Sequence, residues 1–151
     1  MKISVVKGKL KSIGNGTVEH KDDGSIFTYS FIEMESGEII KRVAMKDGLA
    51  SKLKEGLNSG GTELHLAPVK GKDTSLLIAI RNENDRLYAM GLDISWLSKN
   101  SWIILAVVGV LTIPIAIGLF FLIASWGSWR GIKPMLSINK YIESLPSPVL
   151  L

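Results

Sequence analysis

Ser25-Ile26-Phe27-Thr28-Tyr29-Ser30-Phe31-Ile32-Glu33-Met34 alternates large apolar side chains with smaller polar ones and puts Phe27, Tyr29 and Phe31 on one face. Period two marks a strand with one buried face, because successive side chains on an extended backbone point to opposite sides. Glu35-Ser36-Gly37-Glu38 then predicts a tight turn, and Ile39 to Met45 the returning strand of a hairpin. Phe27, Tyr29 and Phe31 are the largest residues nearby, so they read as core packing rather than as a base-stacking platform.

Working outward, Leu49, Leu53 and Leu57 recur every four residues and predict a short amphipathic helix, capped by Asp47 and ended near residues 58–61. Thr62 to Pro68 and Ser75 to Arg81 read as strands around a turn at Lys70-Gly71-Lys72-Asp73, and Arg86 to Met90 as a last strand. Upstream, Lys2 to Val6 and Lys9 to Ile13 form one strand interrupted at Gly8, and Gly14-Asn15-Gly16 turns the chain into Thr17 to Glu19. The domain over residues 1–95 is thus mainly β with one short helix. Its element order resembles the OB-fold, a five-stranded Greek-key small barrel, over roughly Lys2 to Met90; other small barrels or a half-open sheet with one helix are the alternatives.

The C-terminal third differs. No charged side chain occurs from Asn100 to Trp129, and a helix over Ile103 to Trp126 would measure roughly 36 Å, against a hydrocarbon core of about 30 Å. This predicts a single C-terminal transmembrane helix within residues 96–129. Trp96 and Trp102 at one end, with Trp126, Trp129 and Arg130 at the other, would form its two membrane-interface belts. Pro114, flanked by Gly109 and Gly118, predicts a kink. The small-residue pairs Thr112/Ala116, Ala124/Ser128 and Gly127/Gly131 suit a homo-oligomer formed through the helix. Residues 130–151 read as a short amphipathic tail: a helix after the Lys133-Pro134 break, then an extended end from Leu145.

Candidate chemistry is sparse. The chain has no cysteine, which excludes disulfides and thiolate metal sites. His20 sits in a solvated hairpin tip with Asp22 and Asp23, and His65, between Leu64 and Leu66, should point outward. There is no nucleophile elbow, phosphate loop or dinucleotide fingerprint, and the Glu33/Glu35 pair reads as surface. The expectation is therefore a non-enzymatic chain without metal or cofactor.

Lys7, Lys9 and Lys11 alternate along one strand face, with Lys41, Arg42, Lys46, Lys52 and Lys54 adding charge. They read as a solvated, lysine-protected edge or as contacts for an anionic ligand, an oligonucleotide or a lipid headgroup. The net charge of +4 is spread over mixed signs, which disfavours a nucleic-acid partner. Met1 to Lys7 lacks the apolar run of a signal peptide, predicting a cytoplasmic β domain on a bacterial inner membrane; Arg130 and Lys133 against Lys99 argue the other way. The resulting expectation is a membrane-anchored binding or assembly module whose β domain docks a protein partner. Its alternative is a membrane-tethered sensor of an anionic ligand.

Overall fold

A computed structural model describes residues 2–21, 24–69, 71, 73–83, 85–92, 96–112 and 118–151. The described residues form a mostly β half-barrel sheet and three helices. Met1–Gly91 together with Tyr141–Leu151 make one compact unit, and Leu92–Lys140 a second.

The β unit contains β1 (Ser4–Gly8), β2 (Leu10–Ile13), β3 (Gly16–Lys21), β4 (Gly24–Met34), β5 (Ile39–Lys46), α1 (Asp47–Gly56), β6 (Thr62–Pro68), β7 (Ser75–Asn82), β8 (Tyr88–Ala89) and β9 (Val149–Leu150). Strands pair in the order β1-β6-β7-β5-β4-β2, with β3 on β4 and β8 on β7. The β5–β7 and β8–β9 pairs are parallel and the others antiparallel. Because β1 and β2 are separated by Lys9 alone, the path begins and ends on one stretch of chain. The β4–β5 turn uses Gly37 at φ 86°, a left-handed conformation that a Cβ would oppose. At Gly14, a Cβ would collide with Ser30 Oγ and the Phe31 ring, so glycine is what lets the β2–β3 connection lie on β4.

Ile32, Met34, Val43, Met45, Leu49, Leu53, Leu64, Leu77, Ile78 and Ile80 are fully buried and form the core. In β7 the run Leu77-Ile78-Ala79-Ile80 is buried without alternation, as expected of a strand covered on both faces. Helix α1 rests Leu49, Ala50 and Leu53 on β7, β4 and β5. Its N-cap is Lys46 with no side-chain cap, so Asp47 does not cap the helix; it lies in the first turn, where its carboxylate meets the positive end of the helix dipole.

The inward face of β4 also differs from the expected one. Tyr29 is buried, but Phe27 and Phe31 are half-exposed, and the deepest residues are Ile32 and Met34. Arg42, at the level of Ser30 on the neighbouring strand, adopts φ 46°, and Lys41 and Arg42 are both exposed. The alternation of both strands therefore slips by one residue there.

The second unit carries α2 (Trp96–Thr112) and most of α3 (Gly118–Glu143). Among the described residues no helix is long and apolar enough to cross a membrane. The expected continuous helix over Ile103 to Trp126 is corrected by one contact: Ser125 Oγ donates to Trp102 O at 2.5 Å. In a continuous helix those residues would stand roughly 35 Å apart along the axis. Pro114, the expected kink, and Ala116, the expected partner of Thr112, lie outside the described residues. Pro134 sits inside α3 and does not break it, and the C-terminal end is not free: Val149 N donates to Leu87 O, and Leu151 N to Ala89 O.

Candidate functional site

Two groups of residues stand out, one in each unit. In the β unit, β6 presents Glu63 and His65. Period-two alternation predicts His65 on the outer face, yet it is 4% exposed. It keeps the face of Glu63, two residues away and 3.3 Å from Nε2, and its cover comes from Tyr141, whose hydroxyl lies against the ring; the β-bulge at this point leaves its extra residue, Ile78, on β7. His65 Nδ1 lies 2.8 Å from the Tyr141 hydroxyl, and Nε2 stands 3.3 Å from Glu63 Oε1, off the line of a hydrogen bond. Glu63 also faces Lys7 Nζ at 3.2 Å and Arg81 Nη1 at 3.8 Å.

Burial holds the His65 imidazole below the usual histidine range. Glu63 pulls it upward, while Arg81 and Lys7 press it further down. Burial likewise raises the Tyr141 hydroxyl, with Glu63 adding to the effect. At neutral pH the two rings therefore form a neutral hydrogen-bonded pair. A histidine whose folded pKa lies below its unfolded value contributes stability that is complete above about pH 6.5 and is lost as pH falls through the folded value. Thermal melts of the wild type should accordingly fall more steeply between about pH 7 and about pH 5 than those of His65→Gln. Equal slopes would remove His65 as the acid-sensitive group.

The lysine stripe is paired. Lys7 meets Glu63, Lys9 meets Glu35 at 3.0 Å, and Lys11 meets Glu33 at 2.7 Å. Ser12 Oγ donates to the other Glu33 oxygen, and the hydrogen bond from Lys11 draws the Glu33 carboxyl below its usual range. Register explains these pairs: Lys7 is directly opposite Glu63, and Ser12 opposite Glu33. Such cross-strand pairs fix register on a solvated edge. His20 is exposed and bonded to Ser25 Oγ at 2.8 Å. Asp22 and Asp23 lie outside the described residues, and among those described no His/Asp/Glu group could hold a metal ion.

The helical unit gathers the other group. The rings of Trp102 and Trp129 stand 4.7 Å apart, and the Arg130 guanidinium lies 4.0 Å over the Trp126 ring. Trp102 and Trp129, expected in two belts at opposite ends of a span, are thus neighbours; Trp96 begins α2. Beside this cluster large apolar side chains are exposed: Ile103, Ile104, Val107 and Val110 on α2, Phe120 and Ile123 on α3, with Val110 60% and Phe120 70% exposed.

A cleft of about 500 Å³ in the β unit is lined by Arg81, Asp85, Arg86, Pro146 and Ser147. Asp85 already accepts from Arg86 N and the Tyr88 hydroxyl. Neither His65 nor Tyr141 lines it. Alternation places His65 on the face of Glu63 but cannot show that Tyr141, 76 residues further on, covers that face; the polar histidine inside Leu64-His65-Leu66-Ala67 was the one visible trace. Comparison of the chain with protein-family models, with curated proteins and with solved structures found no match.

Proposed function

We propose that this chain is a membrane-associated, non-enzymatic binding module whose β unit docks a protein partner while its helical unit supplies the lipid anchor. The observation that carries the reading is the uncharged stretch Asn100 to Trp129, of which Ile103, Ile104, Val107, Val110, Phe120 and Ile123 lie exposed on two helices. Water-exposed surfaces rarely gather so many large apolar groups without a ligand, a partner or lipid to cover them.

An OB-like barrel is the finer reading of the β unit. It is supported by the pairing of β1 with β6, β6 with β7, β7 in parallel with β5, β5 with β4, and β4 with β2, with α1 between β5 and β6. In this reading β1 and β2 are two halves of one barrel strand and β3 is an added arm. A protein partner is favoured over an anionic ligand because Lys7, Lys9 and Lys11 each already face a carboxylate, which an anion would have to displace.

The full chain should sediment with membranes, resist alkaline carbonate and dissolve in mild detergent. Release by carbonate would sink the anchor. Crosslinking in intact membranes followed by mild-detergent purification should recover a different protein in fixed proportion; recovery of the chain alone would sink the docking role and leave self-association in its place.

A further inference from the structure

The chain leaves the β unit after Gly91 and is back in it by Tyr141. The return is built into the sheet: Val149 and Leu150 pair in parallel with Tyr88 and Ala89, and Gly91 N donates to Leu151 O. Both flanks of the helical unit are therefore held in one folded body. If residues 92–140 meet a bilayer, the chain enters and leaves on the same side, which permits no single crossing.

Within the helical unit, Trp102 contacts Ser125 and Trp129, and these residues lie at similar sequence distances from Thr112 and Gly118, where the two helices end and begin. That places α2 and α3 side by side and antiparallel. From Trp102 to Thr112 the helix rises about 15 Å, and Gly118 to Trp129 gives a similar arm; a hydrocarbon core of about 30 Å makes each arm one leaflet deep. Indole rings prefer the headgroup level, and cations there meet anionic lipid. Trp102, Trp126 and Trp129, with Arg130, Lys133 and Lys99, lie toward one end of the pair. The remaining length of each arm carries no charge.

We infer that α2 and α3 form a re-entrant hairpin that dips into a single leaflet, with lipid acyl chains covering Ile103, Val107, Val110, Phe120 and Ile123, and with Trp102 and Trp129 at the headgroup level. The inference rests on the membrane association proposed above and replaces a crossing helix with a one-sided anchor. Within α2 and α3 the backbone polar groups remain satisfied, because helices bond their own amides even in hydrocarbon.

The native chain has no cysteine, so three single variants report the topology: Ser36→Cys in the β4–β5 turn, Ser147→Cys in the segment before β9, and Val110→Cys on the far part of α2. The full-length variants are treated with a membrane-impermeant maleimide in right-side-out and inside-out vesicles. The expected result is that Ser36→Cys and Ser147→Cys react in the same vesicle preparation, while Val110→Cys reacts in neither until detergent is added. Reaction of Ser36→Cys and Ser147→Cys in opposite preparations would overturn the hairpin and leave membrane association standing. Absence of the chain from the vesicles would defeat membrane association itself. A protected Val110→Cys in soluble, lipid-free material would overturn lipid as the covering partner in favour of protein or a second copy.

Discussion

Ile80→Ala should destabilise the β unit by about 2–5 kcal/mol, a large share of the 5–15 kcal/mol typical of a whole domain. Ile80 is fully buried, and its strand lies between two others: it stands opposite Leu64 on β6 and Tyr88 on β8. Truncation removes contacts on a strand buried along four consecutive residues, where neighbours have little freedom to close the gap. Val18→Ala on β3 is the control, since Val18 is 47% exposed and β3 pairs with β4 alone; it should cost no more than about 0.5 kcal/mol. Urea denaturation followed by far-ultraviolet circular dichroism distinguishes them. Equal midpoints for the two variants would contradict the placement of β7 at the centre of the core.

Val107→Asp combined with Ile123→Asp should abolish partition of the chain into lipid vesicles. Both positions are exposed, at 54% and 62%, one on each helix of the second unit. A carboxylate deep in hydrocarbon costs about 2.5–3.5 kcal/mol, so each substitution should weaken partition roughly a hundredfold, and the pair more than either alone. If these faces meet water instead, the same substitutions are surface changes worth no more than about 0.5 kcal/mol. Flotation of the purified chain with anionic vesicles gives the partition coefficient directly, and an unchanged value would remove lipid as the partner of these helices.

The β class, the β4–β5 hairpin and α1 were legible because each is written in local alternation or four-residue spacing: Ser25 to Met34 for the strand, Leu49 and Leu53 for the helix. Three features were not legible, each for a physical reason. The slip at Ser30 and Arg42 depends on a left-handed backbone at a non-glycine residue, which composition does not signal. The burial of His65 depends on Tyr141, 76 residues further along the chain. The fold-back of the apolar run was the largest miss. A run that is apolar on every face has the same hydropathy whether it makes one long span or two short arms. What separates them is the contact of Ser125 with Trp102 and the return of β9 to β8, interactions between residues distant in sequence. The tryptophans do not separate the two either, since their pattern along the chain fits two belts and one cluster equally well.

All four tryptophans lie between Trp96 and Trp129, so the intrinsic tryptophan fluorescence of the native chain comes from the helical unit alone. The most direct test of the lipid anchor is quenching of that fluorescence in vesicles whose lipids carry bromine either near the headgroup or near the chain terminus. Quenching strongest for the shallow bromines, with a blue-shifted emission, is the predicted result. Emission unchanged by vesicles and unquenched at either depth would contradict it.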